Sequence, residues 1–444
     1  WHSEFPWIGF HPWPVIWPVA KNNMTPSRRK ISLRILTLSL ACGLAALPSV
    51  QGAQPKNATD WSVAMVESTM KGFPTAGDLG SWGYAKSLYL YGQYLVYKRT
   101  GDARYLQYIK NWLDSHVDSN GIVTNTNAEG KRNEVKFNNL DSMLPGNLLL
   151  LMYLETNDDK YRLAADRIRL RFNTYPRTKD GGFWHADTKS REWQLWGDGV
   201  FMSMPFLARY GVIFGDSKYA NDEAAKQLTV YASHLNDPKT GLMFHAYDES
   251  GQSKWADPTT KHSGEIWCRA MGWFGMTLIE ILELLPNNHP KRPDLIAQVR
   301  QLVKAWASFQ DKKTGLWYQV VNKPETPGNW LETSSSSMYT YVTAMAVDRS
   351  YVDQRYLKPA RRGYAGVLTK ISVDTEGMTN LTDICEGTNV ADLAYYLARK
   401  RNTNDFHGLG AFLIMNEKFM NKSLKGSSKT LWQRSRNNAV SIRK

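Results

Sequence analysis

The 444-residue chain is predicted to be all-α, a closed (α/α)6 toroid of six helical hairpins, and three observations carry that expectation. A unit made of a short turn, a helix with aromatic and aliphatic residues at helical spacing, a Gly-containing loop and a second helix recurs along the chain. Its clear copies start at Thr100 (TGDARYLQYIKNWLDSHVDSNG), Thr156 (TNDDKYRLAADRIRLRFNTYPRTKDGG) and Phe214 (FGDSKYANDEAAKQLTVYASHLNDPKTG), 56 and 58 residues apart, an interval that fits two helices and two loops. Looser copies from Pro286 and Val352 bring the count to about six hairpins. Hairpins in series must bury their apolar faces on one another, as an open solenoid or a ring, and six inner with six outer helices complete a ring. A composition of 42% hydrophobic and 12% aromatic residues supplies the core.

Taken in chain order, residues 1–23 are rich in Trp and Pro without helical or strand period, and read as an upstream extension. From Met24 a basic opening (Arg28, Arg29, Lys30) leads into an apolar run and a small-residue exit near Gly52 and Ala53, so residues 24–53 read as a signal peptide and the protein as exported, periplasmic or extracellular. The repeats occupy a single domain over 57–420, and residues 421–444 form an aperiodic basic tail. The net charge of +14 is concentrated at the two ends: residues 1–52 carry five basic groups against one acidic, and 421–444 carry seven against none. The body between is left near +3, which removes the electrostatic footprint that nucleic-acid binding requires. LLLLMYLE at 148–155 is too short for a membrane span. Past the leader only Cys268 and Cys385 remain, too few for a disulfide framework and without metal-ligand spacing; no metal and no cofactor is expected. Serine elbows, phosphate loops and HExxH pairs are absent, and the run Ser334 to Ser337 has no His at fixed spacing.

Two carboxylates recur with the repeat: Asp141 in KFNNLDSML and Asp198 in LWGDGVF, 57 residues apart. That phase places both at neighbouring helix starts on one rim, and paired carboxylates in a sugar-sized cavity suit acid/base work on a glycoside. Helix capping is the competing explanation for each. Trp82, Trp193, Trp196, Trp267 and Trp273 fall at or near helix starts, where an indole either packs in the core or stacks on a sugar ring. The loop ends GGFWH (181–185), TGLMFH (240–245) and TGLWYQ (314–319) place large aromatics alike, converging on the cavity or sealing the hairpin ends. His245 closes the second of these. Arg269 suits recognition of a substrate carboxylate, or an ion pair with Glu265 one turn earlier.

Seven blocks in order, WGYAKSLYLYG (82–92), NNLDSMLPGNLLL (138–150), TYPRTKDGGFWH (174–185), LWGDGVFMSMPFL (195–207), EIWCRAMGWF (265–274), LETSSSSM (331–338) and NDFHGLGAFLIMNE (404–417), resemble glycoside hydrolase family 105, the unsaturated rhamnogalacturonyl hydrolases, related to the unsaturated glucuronyl hydrolases of family 88. The resemblance spans about residues 60–420 and implies the (α/α)6 fold reached above from the repeats. It implies an oligosaccharide substrate left by pectin lyases, with a carbon 4–carbon 5 double bond in its non-reducing uronic acid. It further implies Asp198 as general acid/base, Asp141 as the second acidic residue, and Trp82, Tyr84, His245, Trp267, Arg269 and Trp273 as sugar contacts. The implied chemistry is protonation of carbon 4 by Asp198, which calls for a raised pKa, followed by addition of water at carbon 5. Ser87, Ser335 and Ser337 depart from residues common in the family and leave the preferred sugar open, and Cys268 has no role. A conventional glycosidase acting through Asp141 and Asp198, and a non-catalytic sugar-binding toroid, are the rival functions. Oligomeric state is not legible.

Overall fold

The repeated TGD, TND and FGD tripeptides explain how each hairpin reverses. Helix α2 (Tyr84–Thr100), α4 (Gly146–Thr156) and α6 (Gly199–Phe214) each end on a left-handed residue, Gly101, Asn157 and Gly215 with φ of 76°, 54° and 92°. Gly and Asn tolerate that conformation. The next residue, Asp102 or Asp158, then caps the following helix through its side chain, α3 (Ala103–His116) or α5 (Asp159–Arg171). In the third copy Asp216 precedes α7 (Ser217–Leu235) without capping it and pairs with Arg169 at 2.5 Å.

The structure is a computed structural model that describes residues 59–127 and 130–420. The upstream extension, leader and tail read from the sequence lie outside the described residues. Helix α1 (Trp61–Gly72) precedes the helices given above, and α8 (Cys268–Leu284), α9 (Arg292–Phe309), α10 (Thr333–Asp348), α11 (Leu357–Leu368), the short α12 (Leu393–Leu397) and α13 (Phe406–Met420) follow them. Contacts run from α2 to α4, α6, α8, α10 and α13, and α13 packs back along α2, so these six helices form a closed inner ring. Helices α3, α5, α7, α9, α11 and α1 lie outside it, each packed on a ring helix. The expected (α/α)6 toroid is borne out, and α1 is the outer helix of the hairpin that α13 begins.

Inner helices α6, α8 and α10 are buried on nearly every face, which only a helix surrounded by others can be. The seam that closes the ring depends on close approach: a Cβ on Gly92 of α2 would meet the Leu413 Cβ at 2.7 Å, and one on Gly410 of α13 would meet the Leu88 side chain at 2.6 Å. Short turns join inner to outer helices at one end of the toroid. Long loops with short antiparallel strands, among them Gln194–Trp196 on Ala246–Asp248, join outer to inner helices at the other.

At that loop-bearing end the large aromatics seal the hairpins rather than converge on a cavity. Phe183 packs on Phe172 and Tyr175, each at 5.5 Å, and the Trp317 indole donates to the Trp306 carbonyl at 2.8 Å. The residue four places after each turn glycine differs in its surroundings: His185 after Gly181 and His245 after Gly241 lie beside the paired carboxylates. Among the described residues no helix is long and apolar enough to cross a membrane, and no group of three or more His, Cys, Asp and Glu could hold a metal ion.

Candidate active site

Asp198 immediately precedes α6 but makes no capping hydrogen bond, so the capping explanation fails there. Asp141 sits in a 3-10 turn, Leu140–Ser142, just before α4, where Asn139 takes the capping role by accepting from the Asp141 backbone N–H at 3.0 Å. Both aspartates thus stand at neighbouring ring-helix starts on one rim. His245 is fully buried, with Nε2 3.3 Å from Asp198 Oδ2 and Nδ1 2.6 Å from the Tyr396 hydroxyl. The Asp198 contact is close but poorly aligned, and Oδ2 has no other partner. His185, which sequence reasoning passed over, stacks on Trp196 with centroids 4.4 Å apart and planes 6° apart. Its Nε2 lies 3.8 Å from Asp141 Oδ1.

Electrostatics divides the two carboxyls. Burial, then the Asp198 charge, pushes Asp141 up to about 7, with Arg191 opposing. Burial also acts upward on Asp198, but the His245 contact and charge, with His185 and Arg269, outweigh it and bring the group below the ordinary aspartate value. The expectation that Asp198 carries the raised pKa is therefore reversed: Asp141 is the carboxyl of the pair that carries the upward shift. Burial lowers His185 to about 3, so its approach to Asp141 is a neutral contact and not an ion pair.

The implied sugar contacts fare unequally. The Trp82 indole lies 5.6 Å from Trp112 with planes 7° apart and donates its N–H to the Ser142 carbonyl at 2.8 Å. It therefore buttresses the turn that carries Asp141 and leaves no N–H for a sugar. Trp273 is fully buried in α8 with Phe201 on its face at 4.8 Å, a core position. Trp267 is buried against His245 at 4.6 Å. Tyr84, the first residue of α2, remains half-buried, with its hydroxyl 2.7 Å from His407 Nε2.

Arg269 is 1% exposed and held by its own chain through Nη1 and Nη2, while among the described residues its Nε has no hydrogen-bond partner. It donates to the Cys385 carbonyl at 2.6 Å and the Glu386 carbonyl at 2.7 Å, and lies 3.8 Å from Glu332. Glu265 pairs instead with Lys323 at 2.7 Å, so the helical ion pair considered for Arg269 does not form. Arg191 is the cation that sequence reasoning missed. Its guanidinium lies 3.9 Å over the Trp196 ring and donates to Asn389 at 2.9 Å. Its charge is felt by Asp141 and His185. Proximity to the REWQLW strand was the available signal, and it could not say which way the side chain turned.

Two carboxyls of opposite pKa direction, flanked by imidazoles and indoles on the rim of a six-hairpin toroid, define a carbohydrate-cleaving hydrolase. The model of Glycosyl Hydrolase Family 88 matches residues 61–421, and the chain belongs to this family. The family 105 resemblance is borne out by a solved family 105 glycoside hydrolase from C. acetobutylicum ATCC 824, 33% identical with a TM-score of 0.76, covering 82% of this chain and 99% of that one. A protein of Agrobacterium fabrum (strain C58) is 31% identical over 230 residues, 48% of this chain and 96% of its own length. The unsaturated rhamnogalacturonyl hydrolase YesR of Bacillus subtilis (strain 168) is 24% identical over 299 residues, 66% of this chain and 77% of its own.

Proposed function

We propose that this glycoside hydrolase removes 4,5-unsaturated uronic acid from the non-reducing end of pectin- or rhamnogalacturonan-derived oligosaccharides by hydrating the double bond. The carrying observation is the placing of Asp141 and Asp198 at neighbouring ring-helix starts, with His245 3.3 Å from Asp198 and the two carboxyls shifted in opposite directions. Kinship with the Bacillus subtilis unsaturated rhamnogalacturonyl hydrolase supports the substrate class.

In this reading a bound uronate brings another negative charge beside the pair. Like charges raise one another's pKa, and the pair, titrating as a unit, delivers its proton to Asp198 as substrate seats. Asp198 protonates carbon 4 and, as the resulting carboxylate, takes a proton from the water that adds at carbon 5. The hemiketal opens to a ketone and expels the neighbouring sugar, so one water is consumed and Asp198 is regenerated. His245, held by Tyr396, fixes the Asp198 carboxylate. With Arg269 committed to backbone carbonyls, Arg191 reads the substrate carboxylate, keeping donors beyond the one given to Asn389.

The test is incubation with a lyase-generated unsaturated rhamnogalacturonan disaccharide. Loss of the ultraviolet absorbance of the conjugated double bond is expected, and unchanged absorbance beside hydrolysis of a saturated glycoside overturns the reading. The latter outcome belongs to a conventional glycosidase, which the opposite pKa directions of Asp141 and Asp198 would also equip. Export belongs to the same proposal and rests on residues 24–53. A mature N-terminus near Gly52 supports it, and a mature protein still beginning at or before Met24 overturns it.

A further inference from the structure

Tyr84 is the first link of a hydrogen-bonded chain that joins the two helices closing the ring. Its hydroxyl lies 2.7 Å from His407 Nε2, and His407 Nδ1 lies 2.5 Å from Asp405 Oδ1. The two ends of this chain are 323 residues apart in sequence, one starting α2 and the other leading into α13. Asp405 is itself anchored: Oδ1 also accepts the His407 backbone N–H at 3.0 Å, and Oδ2 accepts from the Asn402 amide at 3.1 Å.

The geometry points to a fixed proton order in this chain, in which His407 Nδ1–H donates to Asp405, His407 Nε2 accepts a hydrogen bond from the Tyr84 hydroxyl, and the Tyr84 oxygen acts toward the site only as a hydrogen-bond acceptor. The opposite order would place the Nδ1 lone pair 2.5 Å from a carboxylate oxygen, which repels. Protonating the carboxyl is opposed by the donors that Asp405 already accepts, and they hold it below the ordinary aspartate value. A doubly protonated imidazole is opposed by burial first and by the Arg269 charge, with Asp405 and Glu332 acting the other way; the balance holds His407 below its ordinary value. Asp405 and His407 are thus positioning residues that act through Tyr84.

The consequence concerns what Tyr84 can bind. A neutral acceptor beside two aspartates cannot hold a substrate carboxylate, which has no proton to give. It selects an O–H donor, a sugar hydroxyl or the attacking water. This deepens the substrate assignment proposed above and rests on it for the identity of the bound sugar, but the proton order itself does not.

The first test therefore needs no substrate. In the full chain with 15N-labelled histidine, the His407 signals, assigned by their absence in His407→Gln, are expected to show a protonated Nδ1 and a bare Nε2. The Nε2–H tautomer overturns the inference. The second test is kinetic, on an unsaturated uronide disaccharide. Tyr84→Phe and His407→Gln are each expected to lower kcat/KM by about 10–100-fold, with the double variant within about 2-fold of Tyr84→Phe alone. Multiplicative losses mean that His407 acts independently of Tyr84 and overturn the positioning role. If wild type turns over no unsaturated uronide, the substrate reading fails while the tautomer still decides the proton order. If His407→Gln does not fold, selective displacement of the His407 pair in Tyr84→Phe spectra makes the assignment.

Discussion

Two sectors of the same rim place a carboxylate at a ring-helix start and treat it in opposite ways. On the α10 side, Glu332 is fully buried and accepts from the backbone N–H groups of Ser334 at 3.1 Å, Ser335 at 2.6 Å and Cys385 at 2.9 Å, and from the Ser334 hydroxyl at 2.8 Å, with Arg269 nearby at 3.8 Å. On the α4–α6 side, Asp198 caps nothing, its Oδ2 lies against His245, and burial, then the Asp198 charge, raises the pKa of Asp141. The buried carboxylate with a complete set of donors is structural. The pair whose pKa values are moved in opposite directions is the one proposed above to exchange protons, because burial and charge oppose the ionised form of Asp141.

Exchanging the acid for its amide in each sector is the sharpest way to break this contrast. Asp198→Asn is expected to lower kcat by at least about 10³-fold while leaving the melting temperature within about 2 °C, since the side chain caps no helix and the amide keeps its shape beside His245. Glu332→Gln should do the reverse. It replaces one acceptor oxygen by a donor facing backbone N–H groups and leaves Arg269 without its counter-charge, for a cost of about 3 kcal/mol in urea unfolding. A Glu332→Gln protein as stable as wild type, or an Asp198→Asn protein that unfolds, would sink the comparison.

Asp141→Asn sharpens it with a smaller effect of mixed sign. A loss in kcat of about 10²-fold is expected, because the proton of the pair is removed. Stability should move the other way at alkaline pH. The folded pKa, about 7, lies above the unfolded 3.8, so the favourable contribution is fully present below 3.8 and is lost as pH rises through 7. The ionised group therefore strains wild type at pH 8, and the amide should gain about 2 kcal/mol there, allowing for a side chain 29% open to solvent, and almost nothing at pH 4. The same proton makes wild-type kcat fall as pH rises through about 7. Equal stability of the two proteins at pH 8 would show that Asp141 is not held against its charge.

The contrast between sectors also separates what the sequence could show from what it could not. The fold was legible because a 56–58-residue period survives in TGD-type turns, whose left-handed residue and capping Asp are local requirements. The shared rim of Asp141 and Asp198 was legible through the same period, while His245 was singled out by its loop end and the family resemblance. His185 shares the offset of His245 from a turn glycine, but nothing local to GGFWH distinguishes its imidazole from the sealing aromatics before it. Pairings across the ring were not legible: Tyr396 reaches His245 from 151 residues away and Asp405 reaches Tyr84 through His407. For Trp82 and Arg269 the residue type suited a sugar or a carboxylate, but the Ser142, Cys385 and Glu386 carbonyls that take their N–H groups are set by tertiary packing alone.

Arg191 tests that last point with the smallest expected effect. If the buried Arg269 is structural and the half-buried Arg191 reads the substrate, Arg191→Gln should raise KM for the free-acid disaccharide about 10-fold, with kcat changed less than about 3-fold. The methyl ester of the same uronide should lose little, because it offers no charge to recognise. A second signature is independent of substrate charge: Arg191 opposes the upward shift of Asp141, so removing it should move the alkaline limb of the kcat profile to higher pH. An equal loss on acid and ester, with an unmoved alkaline limb, would return Arg191 to a packing role over Trp196 and place carboxylate recognition elsewhere on the rim.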